Sequence, residues 1–194
     1  MKYSKNKMPY GNNGFTMMEL IVAMIIISIL TSGGLYIYSK YMGISRVTAT
    51  INQISSMKAS VLNYMSQNQG NISNISITSM INSGVLGKSW TASAGFTTGA
   101  ACPSNTASIY HCDPWNGAIT VEQDSDISNV YTINFGLVPE NDAYKIAQDL
   151  FNSVDNTDSG LGSGVIFNGS ALTPDDTAAA TSNAVGTLTL YFKI

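Results

Sequence analysis

Residues 14–39 read GFTMMELIVAMIIISILTSGGLYIYS, and the part from Leu20 to Ser39 holds twenty residues without a charge. Its first half, LIVAMIIISIL, is almost wholly aliphatic. At about 1.5 Å per residue a helix of that length spans roughly the 30 Å hydrocarbon core of a bilayer. A removable secretory signal peptide is the competing reading. Such a peptide has a shorter apolar core followed by a small-residue cleavage site. Thr31-Ser32-Gly33-Gly34 has that character, but the apolar run resumes at Leu35-Tyr36-Ile37-Tyr38. A carboxylate, Glu19, also stands where a signal peptide carries positive charge. The stretch therefore reads as a helix retained in the membrane.

Working towards the C-terminus, the helical pattern continues. Tyr41, Ile44, Val47, Ile51, Ile54, Met57, Val61, Leu62 and Met65 recur at helical spacing and predict one apolar stripe. No proline occurs between Phe15 and Cys102. The first stop signal is Asn68-Gln69-Gly70-Asn71, with Gly70 as a C-cap. One helix over residues 15–67 is expected, roughly 80 Å long. Residues 15–39 form its membrane-spanning part, and the amphipathic remainder needs a packing partner. Gly33, Gly34 and Gly43 are weak points in it, each costing up to about 1 kcal/mol. They serve either close helix–helix packing or local loosening.

Working towards the N-terminus, Lys2, Lys5 and Lys7 give a basic head before the apolar segment. The leader MKYSKNKMPYGNNG then meets Gly14-Phe15-Thr16-Met17-Met18-Glu19. This resembles the class III signal of type IV pilins and pseudopilins. The resemblance implies that residues 1–14 are a leader cut after Gly14 by a prepilin peptidase. It implies N-methylation of the new terminus, Phe15. It also assigns Glu19 to assembly, paired with the terminal amine of a neighbouring subunit. Physics supports a special role for Glu19, because a carboxylate at the edge of hydrocarbon costs several kcal/mol unless paired. The next cation along the chain is Lys40, far beyond reach on a helix. A headgroup-level, snorkelling carboxylate is the bland alternative.

The remainder, residues 68–194, is expected to be a globular head. Residues 71–101 are rich in Ser, Thr, Asn and Gly, with a short helix somewhere in ISITSMINSGVL, residues 75–86. AITVE (118–122) and VYTINF (130–135) alternate as strands and predict a hairpin around Gln123-Asp124-Ser125-Asp126. Val138-Pro139 leads towards a helix in AYKIAQDLFNSV, residues 143–154, with Asp142 as its predicted N-cap. Val165-Ile166-Phe167 and TLTLYFKI, residues 187–194, read as further strands. Long helix, hairpin, helix and strands make an α+β chain: a long N-terminal helix packed on a C-terminal antiparallel sheet. Asp113-Pro114-Trp115-Asn116-Gly117-Ala118 and the helix after Val138-Pro139 are similar to type IVb pilin heads, including thin-pilus pilins of conjugative plasmids. Across residues 59–194 there are three basic and eleven acidic residues, so the head is acidic.

Cys102 and Cys112 enclose nine residues. In a head outside the cytoplasm they should form a disulfide. Free thiols or a metal pair with His111 remain the alternatives. With one histidine and two cysteines in 194 residues, neither a metal site nor a cofactor is expected. A net charge of −3 argues against nucleic acid as a default partner. The single histidine leaves no base for a serine or cysteine nucleophile, so no enzyme is expected. Asp124/Asp126 and Asp175/Asp176 read as solvated turns.

Together these readings predict a structural subunit, a major pilin that forms a homo-oligomeric type IV filament. The resemblance implies an inner-membrane location before assembly and the cell surface after it. It also implies inner-membrane assembly machinery and an outer-membrane secretin as partners. A minor pilin or type II secretion pseudopilin is the second hypothesis. A single-span anchored binding protein that never polymerises is the third.

Overall fold

The structure, a computed structural model, describes residues 15–86, 101–102, 112–151, 154, 164–172 and 184–194. The chain divides into two compact units, Met1–Met42 and Gly43–Ile194, and helix α1 (Met17–Gln67) runs through the boundary.

In the first unit α1 is apolar all round, and its side chains are exposed within the chain. This stretch is long and apolar enough to cross a membrane. Its serine and threonine hydroxyls fold back onto helix carbonyls: Ser28 donates to Met24, Thr31 to Ile27, Ser32 to Ile29 and Ser39 to Tyr36, at 2.7–3.0 Å. Those bonds satisfy these donors within the helix itself, which suits an apolar surrounding.

In the second unit α1 becomes amphipathic. Val47, Thr50, Ile54, Met57, Val61 and Tyr64 are buried, a strict alternation of three- and four-residue steps. The predicted stripe therefore holds at Val47, Ile54, Met57 and Val61, with Ile51 and Met65 half-buried; Thr50 and Tyr64 are buried members outside it, and Leu62 departs from it. Leu62 is exposed, because it lies one residue off the face centred on Val61. Thr50 replaces an apolar residue, and its hydroxyl is satisfied by the Arg46 carbonyl at 3.0 Å. The helix stops where Gly70, at φ 83°, donates to the Met65 carbonyl. Helix α2 (Ile77–Asn82) follows, started by a reciprocal cap between Ser76 and Ser79.

The sheet has five antiparallel strands in the order β1-β2-β5-β3-β4. They are β1 (Ile119–Gln123), β2 (Val130–Pro139), β3 (Val165–Phe167), β4 (Ser170–Leu172) and β5 (Val185–Lys193). The β1–β2 hairpin registers Ile119 on Phe135 and Gln123 on Tyr131. Its connection is held by Asp124, whose Oδ1 accepts from the amides of Asp126 and Ile127. One face presents Ile119, Val121, Tyr131, Ile133, Phe135, Leu188, Leu190 and Phe192 to the core shared with α1 and α3. The other face of the hairpin is polar, with Asn134 donating to Thr120 across the strands at 3.1 Å.

Two segments differ from their sequence reading. β2 does not end at Phe135. A bulge at Gly136-Leu137, with Leu137 at φ 55°, lets Val138 and Pro139 resume pairing with Gly186 and Val185 of β5. Strand then runs directly into helix α3 (Glu140–Leu150), so Asp142 is not its N-cap. Pro139 holds the cap position without a side-chain bond, and the Glu140 amide donates to the Ala184 carbonyl instead. Asp142 sits in the first turn, where its carboxylate suits the helix N-terminus and meets Lys145 at 2.8 Å. β4 was not predicted. It follows a two-residue turn, Asn168-Gly169, with φ of 49° and 82° at its two positions. That is the geometry of a type I′ hairpin.

Candidate functional site: the helix start and the disulfide turn

Two places carry the residues singled out by the sequence. The first is the start of α1. Gly14 and residues 1–13 lie outside the described residues. Phe15 and Thr16 precede the helix, and Glu19 occupies its first turn. Thr16 acts as a cap: its Oγ1 accepts from the Glu19 amide at 3.3 Å, and its carbonyl accepts from Leu20. A Thr-x-x-Glu spacing is the sequence signature of such a helix start, a signal that sequence reasoning missed. Glu19 thus sits where the helix dipole favours a carboxylate and where the aliphatic run begins. Phe15 is 81% exposed and Met17 85% exposed, so the residues flanking Glu19 are not covered by this chain. Gly33, Gly34 and Gly43 lie in unbroken helix with open space around their Cα atoms.

The second place is the turn after Cys112. Cys102 and Cys112 form a disulfide with Cα atoms 5.9 Å apart, which excludes the free-thiol and metal-pair readings for them. The bonded ring is attached to the head at several points. The Cys102 amide donates to Asn116 at 2.8 Å, and Cys112 pairs with Ala118 in a β-bridge. Gln53 of α1 reaches across to the Cys112 carbonyl at 3.4 Å. At the centre is Asp113, 4% exposed. Its Oδ1 accepts from the amides of Trp115 at 2.9 Å and Gly117 at 2.6 Å. These bonds close a tight turn in which Asn116 adopts φ 67°. Gly117 has no room for a side chain, because a Cβ there would overlap the Gly136 carbonyl and Asp113 Oδ2.

Burial pushes the Asp113 carboxyl up from 3.8 to about 6, although the two amide bonds pull the other way. The sequence marked Asp113-Pro114-Trp115-Asn116-Gly117 only as a family likeness. The Asp-x-x-x-Gly spacing of an Asx-type turn was the signal for the role of its carboxylate. The acid pair Asp124/Asp126 proves to be a turn built on its own amides. Asp175, Asp176 and His111 lie outside the described residues. Among the described residues no group of three or more His, Cys, Asp or Glu side chains is placed to hold a metal ion.

Comparison with known proteins agrees with the first place. Residues 10–35 match the family model of the prokaryotic N-terminal methylation motif, a span that includes Gly14, Phe15 and Glu19. No curated protein matched the chain. The motif implies processing by a prepilin peptidase, and with the exposed apolar helix it indicates membrane anchoring. The chain thus bears the class III signal of type IV pilins and pseudopilins, at the head of a pilin-like α+β fold.

Proposed function

We propose that the chain is the major pilin of a type IV pilus. The peptidase cuts after Gly14, and Phe15 becomes the methylated N-terminus. The membrane-anchored subunit is then drawn by inner-membrane machinery into a filament that leaves through an outer-membrane secretin. The observation that carries this reading is the start of α1. Glu19 is the one acidic residue beside a long aliphatic run, and that run is uncovered by the chain itself. Both features fit a helix that packs against copies of itself, with the Phe15 amine of one subunit meeting Glu19 of another. The protein acts by assembly rather than by catalysis, and attachment, aggregation or conjugation are the roles such a filament serves. The Asp113-Pro114-Trp115 turn and Val138-Pro139 favour the type IVb subclass. A minor pilin or pseudopilin shares the same signal and differs in abundance within the filament.

Mass spectrometry of protein sheared from the cell surface tests the reading. The expected species starts at N-methylated Phe15 and dominates the sheared fraction. Gly14→Val is expected to leave uncleaved precursor in the membrane. Glu19→Ala is expected to abolish or sharply reduce filaments at normal subunit levels, with the head still folded. Abundant normal pili from Glu19→Ala cells would leave Glu19 as a snorkelling side chain. Precursor that is never cleaved would leave a plain membrane anchor.

A further inference from the structure

From Phe15 to Leu35 the chain has one aromatic residue, Phe15 itself, whereas Tyr36, Tyr38, Lys40 and Tyr41 crowd into the next six positions. These four lie beyond residues 10–35, the span of the methylation motif. Helix α1 is unbroken through them. At roughly 100° per residue, Tyr36 and Lys40 share one side of the helix, and Tyr38 and Tyr41 stand on the opposite side. The three tyrosines are 61–68% exposed, so this chain covers none of them. Lys40 Nζ lies 5.3 Å from the centre of the Tyr36 ring. Among the described residues of the first unit Lys40 is the only cation and Glu19 the only acidic residue. The helix rises roughly 32 Å from one to the other, against roughly 30 Å of bilayer hydrocarbon.

We propose that Tyr36, Tyr38, Lys40 and Tyr41 form an interfacial anchor, which docks the subunit to phospholipid headgroups at the end of its span away from Glu19. A tyrosine has an apolar ring and a hydroxyl that needs a partner, and the headgroup layer supplies both surroundings. The arrangement of the rings favours lipid over a second protein helix. A partner helix covers one side, whereas these tyrosines face opposite sides, as a surrounding layer requires. The Lys40 stem lies along apolar surface while its ammonium offers three donors. Glu19, a full bilayer away along the helix, is out of its reach, so lipid phosphate is the complementary anion. An anionic leaflet strengthens that pairing. The spacing fixes depth as well. With the tyrosines at one headgroup layer, Glu19 stands at the other, and a slide of one turn draws Glu19 or Lys40 into hydrocarbon. The anchor rests on the membrane-anchored reading of α1 and not on polymerisation.

The test uses the full-length protein in vesicles of phosphatidylethanolamine and phosphatidylglycerol, with no assembly machinery present. Tyr36→Trp and Tyr41→Trp each place a fluorescent reporter on one side of the helix. Trp90 and Trp115 belong to the second unit, and the parent protein supplies their background. Lipids brominated near the headgroup or near the chain end then quench according to depth. Both reporters are expected to be quenched more strongly by the shallow bromines. Stronger quenching by the deep bromines overturns the anchor, and so does a reporter that neither lipid quenches, because protein then covers that side. With bromine carried on one lipid at a time, phosphatidylglycerol is expected to be favoured around Tyr36→Trp by up to about fivefold, and Lys40→Gln to remove that preference. A preference that survives Lys40→Gln, or that is absent from the start, overturns the pairing with lipid phosphate. Protein that fails to float with the vesicles overturns the membrane reading and the anchor together. Loss of filaments in cells, by contrast, bears on the pilin reading alone.

Discussion

At the scale of single residues, the tightest constraint in the head is Gly117. A methyl group there meets the Gly136 carbonyl and Asp113 Oδ2 at once. The Gly136 amide is tied to the Ala118 carbonyl, so neither backbone can retreat cheaply. Gly117→Ala is expected to destabilise the head by about 3 kcal/mol, at the upper end of overpacking costs. Urea unfolding with unchanged m-value checks it. Gly33→Ala is the contrast, since its Cα faces open space in regular helix. That change should gain helix propensity, up to about 1 kcal/mol. Nothing in the residues around Gly117 announces the difference. It arises from Gly136, nineteen positions away, being brought against it by the β1–β2 pairing.

At the scale of elements, the second half of α1 is held by its packed face. Ile54 and Val61 are fully buried, and Met57 nearly so. Ile54→Ala is expected to cost about 2–5 kcal/mol through lost burial and the cavity left behind. Leu62→Ala, one residue off that face and 58% exposed, should stay within about 0.5 kcal/mol. Thermal and urea denaturation of the pair distinguish the register observed here from one centred on Leu62. The sequence predicted this helix because hydrophobic spacing is a local signal. It misassigned Leu62 because a run such as Val61-Leu62 marks two adjacent faces, and only the partner surface chooses between them. The strands follow the same rule. Alternation located β1 and the first part of β2, while the bulge at Gly136-Leu137 carries Val138 and Pro139 into the sheet only because β5 lies alongside.

At the scale of the whole molecule, every residue of the hydrophobic core cluster lies at or beyond Val47. Among the described residues, all but four of the exposed large apolar side chains precede Gly43. A chain beginning at Gly43 is therefore expected to fold with Cys102–Cys112 bonded and to remain soluble without detergent. Circular dichroism and one cooperative unfolding transition check this. A truncated chain that aggregates or lacks cooperativity would mean that the first unit supports the core. The sequence by itself determined the features that depend on neighbours in the chain. These are the apolar span headed by Glu19, the amphipathic continuation with its stop at Gly70 and the alternating strands. Each rests on local spacing, charge or capping, which short-range physics fixes. Tertiary structure alone decided the strand order β1-β2-β5-β3-β4, the direct passage from β2 into α3 and the burial of the Asp113 carboxylate. Those depend on which distant backbone fills a given space, and burial acts on that environment rather than on residue type. Asp113 shows it: its carboxylate closes a turn by accepting two amides, as the sequence spacing allows, and burial beneath Gly117 and Gly136 is what raises it to about 6.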